Sequence, residues 1–383
     1  MPALRGHQDA KRLLASAARA GTLGQSVLLH GPAGIGKERV GLWLAQLLVC
    51  EHPDARGNPC GGCLACRLVL RLEHPDVHWF FPMARPEGAS GDRLRDKLEE
   101  QRSVELQARR LEPHRVPAHE RPPAHFLAAV QTIQQLASVR PAMGRRKVFV
   151  VGDAELMVPQ ESSPEAANAF LKLLEEPPAD TYIVLTTASP GALLDTIRSR
   201  VTPLRLKPLG AAEIADFLAT EMALAAADAS NLAAQARGAI GRALRLVPGG
   251  DGPGPLAKHH QKGREMLLAA LSGNAVTRLS TAHENRPSGA RGEFLGDLAA
   301  LSEWLRDLLA AASGSEESVA EPEARRLLAR AVERHNPPPL GIAKALEAVA
   351  RATELARGNV NPQLIVAGLL HDVQRQLRPD LTN

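Results

Sequence analysis

QSVLLHGPAGIGKE, residues 25–38, reads as a short apolar strand from Ser26 to His30, a glycine-rich loop, and the start of a helix near Lys37. Within the loop, Gly31, Gly34, Gly36 and Lys37 stand at the spacing of a phosphate-binding loop. Glycines let backbone N–H groups turn toward phosphate oxygens, the helix N-terminus adds positive potential, and the lysine reaches the β and γ phosphates. The strand before the loop and the helix after it supply the context such a motif requires, so the segment descends from a nucleotide-binding fold. The next position departs from the pattern. A serine or threonine there would hold Mg²⁺, and this chain has Glu38, a longer side chain whose negative charge would lie close to a triphosphate. That weighs against ATP binding by this chain, and more heavily against hydrolysis.

Further strands are expected at DVHWFF (76–81), KVFVVGD (147–153), YIVLTTA (182–188) and TPLRLK (202–207). Helical periodicity precedes the loop from His7 to Ala20 and recurs in AVQTIQQLASV and NAFLKLLEEP, the last stopped by Pro177 and Pro178. Strands separated by helices of this length predict an α/β fold, a parallel sheet with helices on both faces, over residues 1–207. Strand VFVV ends at Asp153, on the metal side of the pocket. A hydrolytic ATPase places its water-activating glutamate directly after that aspartate, and Ala154 stands there. Glu155 comes one residue late, and capping is an equally good account of it.

Two segments interrupt the core. From Pro86 to Pro123 the charges alternate in sign and few residues are apolar, which predicts a partly ordered surface insertion whose middle is either a solvated helix or disordered. The other holds all four cysteines, Cys50, Cys60, Cys63 and Cys66, spaced C-x9-C-x2-C-x2-C with Gly61 and Gly62 between two of them. Four thiolates with no spare cysteine describe a structural zinc site with no open position for catalysis. An iron–sulfur cluster also takes four cysteines but finds no redox partner in this chain, and unmetallated thiols are the remaining alternative. His52 and His74 read as surface residues rather than ligands. Beyond Pro208 the chain turns alanine-rich and helical: three short helices to about 247, a glycine–proline linker at 248–255, and only helical periodicities thereafter.

Composition narrows the functions open to the chain. Its 383 residues are 44% apolar and 23% charged, enough for two or three domains with their own cores. A net charge of +4 permits a nucleic-acid neighbour without arguing for one, and three Trp, one Tyr and seven Phe leave too few aromatics for a base-stacking platform. No apolar run is long enough to cross a membrane, and the first residues lack the apolar core of a signal peptide, so a folded start in the cytosol is expected.

Taken together, the phosphate-binding loop, the cysteine insertion after its helix, the run from Asn168 to Pro178 and the Ser199-Arg200 pair resemble bacterial clamp-loader subunits of the AAA+ class. The absent magnesium hydroxyl and catalytic glutamate resemble the delta-prime branch of the DNA polymerase III family rather than the gamma/tau motors. The likeness is good to about residue 245 and thereafter rests on helical content. It implies an AAA+ P-loop core (1–207), a small helical lid (208–247) and an all-helical collar (248–383) that joins a five-subunit ring. It also implies that Arg200 enters the ATP site of an adjacent gamma/tau subunit as an arginine finger, with Mg-ATP on the neighbours. Val201 follows it where the family often has cysteine. Thr187 matches a polar sensor position, Arg242 a second sensor in the lid, and both would be relics of a pocket with Lys37 and Asp153. Glu175, Glu176, Pro177 and Pro178 would end a helix and shape an inter-subunit face. The implied partners are gamma/tau and delta subunits, the beta sliding clamp and primed DNA, in the cytoplasm at the replication machinery.

An active ATPase of the gamma/tau or DNA-repair type is the alternative; it needs Glu38 to tolerate Mg²⁺ and Glu155 to position water. A zinc-dependent nucleic-acid-binding module is the weaker third reading, because few Lys or Arg residues flank the cysteines.

Overall fold

The computed structural model describes residues 4–115, 123–157, 165–249, 252–284, 291–358 and 360–378. The far end of the charged segment (116–122) and part of the glycine–proline linker (250–251) lie outside the described residues. Two compact units emerge: residues 1–233 with 238–244, and residues 234–237 with 245–383.

The first unit is built on a five-stranded, wholly parallel sheet of β1 (Ser26–His30), β2 (Val77–Phe80), β3 (Lys147–Val151), β4 (Thr181–Thr187) and β5 (Thr202–Arg205). The strands lie in the order β2-β3-β4-β1-β5, with Val150 opposite Val184 and Leu28 opposite Leu185. Both faces are covered, so β3 is apolar at every position after its first residue: Val148 and Val150 join the core on one face, Phe149 and Val151 the core on the other. Edge strand β5 tolerates Pro203, whose missing N–H would break a central ladder.

Helices α1 (Gln8–Ala20), α2 (Lys37–Val49), α3 (Leu64–Leu70), α4 (Gly91–Leu111), α5 (Leu127–Ser138), α6 (Glu165–Glu175) and α7 (Asp195–Arg198) connect these strands. The short helices α8 (Ala211–Glu221), α9 (Ala226–Gln235) and α10 (Ile240–Leu246) follow. The charged segment departs from the reading of its sequence. Its middle is α4, and this helix is not merely solvated, because Leu94 and Leu98 are buried in the sheet's core. The arginine side chains cover aromatic rings: Arg102 lies 4.5 Å from the Phe80 centroid, and Arg109 lies 4.3 Å from that of Trp79 and 4.0 Å from that of Phe81. Guanidinium stems make a polar sequence adhesive where exposed π-faces wait for it. Ion pairs along the helix, Glu105–Arg109 at 2.9 Å and Glu99–Arg102 at 2.6 Å, hold those arginines in place.

The second unit, apart from the turn at 234–237 and the end of α10, is helical: α11 (Pro255–Leu271), α12 (Ala275–His283), α13 (Arg291–Ala312), α14 (Pro322–His335), α15 (Pro339–Arg357) and α16 (Pro362–Leu377). Leu267, Leu301, Leu305, Leu328, Ile342, Val366 and Leu370 are among its buried residues, and Pro begins four of these helices at a first-turn position. Among the described residues no helix is long and apolar enough to cross a membrane.

Candidate functional site: a phosphate-loop pocket, a cysteine cluster and an exposed arginine

Parallel strands share one carboxyl edge, and the order of the sheet places the loop after β1 beside the ends of β3 and β4. Gly31 N–H donates to the Thr187 carbonyl at 3.3 Å, and Leu206 N–H donates to the His30 carbonyl at 2.8 Å. Gly31 is so close to Leu206 that a Cβ would sit 2.5 Å from its carbonyl oxygen. Lys37 is buried, and its Nζ donates to the carbonyls of Gly31 at 3.1 Å and Pro32 at 3.0 Å, folding back on its own loop.

Glu38 occupies the first turn of α2, where the helix N-terminus favours a carboxylate. Trp79 Nε1 donates to its Oε2 at 2.6 Å, and the carboxyl group lies against Gly152 at the end of β3, where an added Cβ would meet Oε2 at 2.4 Å. Burial, reinforced by the charge of Asp153, pushes the Glu38 carboxyl up to about 6, against the opposing pull of Arg109, the Trp79 bond and Lys37. Asp153 is also raised, by burial and by Glu155; its backbone is left-handed at φ 43° and its N–H donates to Thr186 Oγ1 at 3.1 Å. A carboxyl group raised on folding contributes stability that is complete below its ordinary value near 4.5 and disappears as pH rises through about 6. Glu38→Gln keeps an oxygen for Trp79 and removes the charge. We expect the variant to be more stable than the parent at pH 8 by on the order of 1–2 kcal/mol, with the advantage gone at pH 4. Urea denaturation at the two pH values checks this, and a variant less stable at pH 8 would show the carboxylate to be net favourable.

Thr187 is buried, but its hydroxyl accepts Ser189 N–H at 3.0 Å and so serves the local turn. Glu155 Oε1 accepts Ala188 N–H at 3.0 Å. At the start of α10, Gly241 N–H donates to the Gly34 carbonyl at 2.8 Å, and the Arg242 backbone nitrogen is 3.3 Å from where a Gly34 Cβ would stand. The lid segment therefore rests directly on the phosphate loop. Gly34 has φ 76°, so Gly34→Ala combines left-handed strain with a backbone too close to yield. A loss of about 1–3 kcal/mol is expected in chemical denaturation; an unchanged midpoint would mean that this contact is not maintained.

The four cysteines converge. Their Sγ atoms all lie within 4.8 Å of one another, with Cys60 and Cys66 at 3.9 Å. Zinc–sulfur bonds of about 2.3 Å in a tetrahedron put sulfurs roughly 3.8 Å apart, so the donor set fits a four-thiolate ion. Cys50 ends α2 and Cys63 caps α3, accepting Cys66 N–H at 3.4 Å. Cys60 N–H points at Cys50 Sγ at 3.3 Å, and Cys63 N–H at Cys60 Sγ at 3.4 Å, an arrangement that favours sulfur as the anion. His52 is exposed and outside the cluster. His74, expected on the surface, is instead buried: its Nδ1 accepts Asp76 N–H at 3.0 Å, because the turn into β2 folds it under α3 and α4.

Arg200 follows α7 with about a third of its side chain exposed; its Nη2 pairs with Glu175 Oε1 at 2.6 Å, and its Nη1 donates to the Thr196 carbonyl at 2.9 Å. The arginine thus stands with the end of the LLEEPP helix. Trp79, Arg109 and Thr186 surround the pocket without having been singled out from sequence. No motif marks them, since each matters only through the strand or helix it is brought beside.

Residues 6–210 match the family described as DNA polymerase III, delta subunit. Over 193 residues, 50% of this chain, it is 35% identical to the DNA polymerase III subunit delta' of Pseudomonas aeruginosa, 46% of which is covered. Over 377 residues, 97% of this chain, it is 26% identical to the DNA polymerase III subunit delta' of Escherichia coli K12, 95% of which is covered. The match thus spans about half the length of the Pseudomonas relative and nearly all of the Escherichia one. Among solved structures, a DNA polymerase III gamma subunit-related protein of Thermotoga maritima aligns with 95% of this chain and 99% of its own, at 18% identity and a TM-score of 0.37.

Proposed function

This chain belongs to the DNA polymerase III delta-subunit family, within the delta-prime, tau and gamma group of clamp-loader proteins, and from that membership we propose that it is a delta-prime-type ring subunit that does not itself hydrolyse ATP. The carrying observation is the Glu38 carboxyl, bonded to Trp79 and lodged against Gly152 where a hydroxyl would face magnesium. The residues present do not fit Mg-ATP: the metal-side position holds an engaged carboxyl, Lys37 is turned to loop carbonyls, and α10 sits on Gly34. Glu155 follows Ala154 one residue late and spends its Oε1 on the Ala188 N–H, while its Oε2 is buried without a hydrogen-bond partner among the described residues.

The chain's contribution to turnover is then Arg200. An exposed ion pair such as Arg200–Glu175 is worth only about 0–1 kcal/mol, so the guanidinium exchanges Glu175 for a neighbour's γ-phosphate at little cost. There a fixed cation compensates negative charge as it develops on transfer. Gly31, Gly34, Gly36, Lys37, Asp153, Thr187 and Arg242 form a relic pocket that braces sheet and lid. Cys50, Cys60, Cys63 and Cys66 hold a structural zinc whose chemistry is confined to cross-linking the ends of the insertion. The partners are gamma/tau and delta subunits in a five-membered cytoplasmic ring that opens the beta sliding clamp at primed DNA, with Mg-ATP bound by the neighbours.

Steady-state ATP turnover of the purified chain, alone and mixed with gamma/tau, delta, clamp and primed DNA, tests the proposal. We expect silence alone and activity in the mixture. Turnover by the isolated chain that Lys37→Ala abolishes would establish an active ATPase instead.

A further inference from the structure

An open cleft of about 880 Å³ runs between α11 and α14 in the helical second unit, remote in sequence from the phosphate loop, the cysteines and Arg200. Along α14, Arg326, Arg330 and Arg334 recur every four residues, which sets three guanidinium groups on one stripe at steps of about 6 Å along the axis. All three are exposed, and among the described residues Arg326 makes only a long 3.4 Å bond to the Pro322 carbonyl, a residue of its own helix. For Arg330 and Arg334 no carboxylate lies within ion-pair distance among the described residues. A helix ordinarily spaces such cations with acids at i±4, as α4 does; this stripe is left without them.

The opposite wall, α11, contributes Arg264, whose Nε is buried without a hydrogen-bond partner in the described residues. Between Arg264 and the α14 arginines lies an apolar strip within a cleft that is otherwise polar: Leu268 is 40% exposed, Leu327 is half-buried, and Ala324 and Ala331 lie beneath them. Carboxylates enter at one end only, as Glu321 and Glu323 at the start of α14.

We propose that this cleft is a docking site for an acidic amphipathic helix of a partner protein. Its carboxylates pair with Arg326, Arg330 and Arg334 on one side and Arg264 on the other, and its apolar residues cover Leu268 and Leu327. Charge complementarity sets the sign of the partner, and the leucines set its amphipathic character. A nucleic-acid strand suits the cleft less well. Trp304 at its floor is buried and bonded to the His260 carbonyl, so its indole is not offered to a base, and Glu321 and Glu323 repel a continuous polyanion. The helical unit would in this way recruit a protein by a surface unconnected with the phosphate loop or Arg200.

The test uses the full chain and a fluorescein-labelled helical peptide of glutamate and leucine, with leucines three and four residues apart. Saturable binding is expected, falling at least about tenfold for Arg330→Glu/Arg334→Glu. Both substitutions are at exposed positions, and circular dichroism verifies that the variant is folded. A peptide with serine in place of leucine should bind at least about tenfold more weakly, since it loses the apolar side chains that cover Leu268 and Leu327. Equal binding by parent and double variant would overturn the proposal. So would a deoxythymidine oligonucleotide that bound more tightly than the peptide and lost its affinity in the same variant, which would make the cleft a nucleic-acid site.

Discussion

Arg200→Ala is expected to lower ATP turnover at the adjoining gamma/tau site on the order of 10³-fold, the magnitude that removing a guanidinium from a phosphoryl-transfer site commonly produces. The loss belongs in the chemical step, because the charge it compensates develops only as the γ-phosphoryl group departs. Nucleotide affinity of the neighbour should change far less. Arg200 lies at the surface after α7, held to Glu175 and the Thr196 carbonyl, so its removal leaves no buried group unpaired and the variant should fold and assemble normally. Single-turnover measurement at that one site is the informative assay, since in the proposed ring other gamma/tau sites would mask part of the loss in a steady-state rate. A variant ring that hydrolyses ATP at the parental rate at this site would remove Arg200 from the mechanism. Glu175→Ala serves as a control: it deletes the exposed partner while leaving the guanidinium, and should cost less than about tenfold.

Removing zinc should have the second large effect, and a local one. The cysteine segment from Cys50 to Cys66 contains only the start of α3 and has little apolar surface of its own, so the proposed zinc would supply what a core supplies elsewhere. Binding by four thiolates is worth on the order of 10 kcal/mol in small zinc domains, and most of it should be stored in this segment. Cys66→Ser is the severest single change because Cys66 is the buried member of the four. About one zinc per chain in the parent should become none in the variant, by elemental analysis. Proteolysis should then cut between residues 50 and 66, while the sheet persists by circular dichroism, since its buried strands do not depend on the insertion. The stretch 51–62 touches the rest of the unit where Arg19 reaches the Ala55 carbonyl at 3.3 Å and where Gly57 packs near Ala15. A parent that carries no zinc, or a variant as protease-resistant as the parent, would refute the structural role.

The parts of this protein legible in one dimension are those whose information is local. Each of the five strands falls where apolar runs between turn residues predict it, and the phosphate loop announces itself because glycine spacing, the preceding strand and the following helix are contiguous. The cysteine cluster is legible for the same reason, its last three ligands being two residues apart. The departure at Glu38 could also be read directly, as a missing hydroxyl.

What the missing hydroxyl became was not. Glu38 meets Trp79, 41 positions away, only because β2 lies beside β3 at the edge of the sheet, and strand order is a property of the whole chain. The charged segment looked solvated since its pattern alternates sign, yet Arg102 and Arg109 found aromatic faces on β2 and β-edge residues next to it. His74 read as a surface residue because four cysteines leave no place for it on a metal, and the turn before β2 buried it. Sequence alone determined that this is a parallel α/β core with a degenerate phosphate loop, a four-cysteine insertion and a helical remainder, because periodicity and motif spacing act over a few residues. Tertiary structure alone decided that Glu38 is engaged by Trp79, that α10 rests on Gly34 and that Arg200 stands with Glu175, because burial and hydrogen bonding depend on which distant segments the fold makes neighbours.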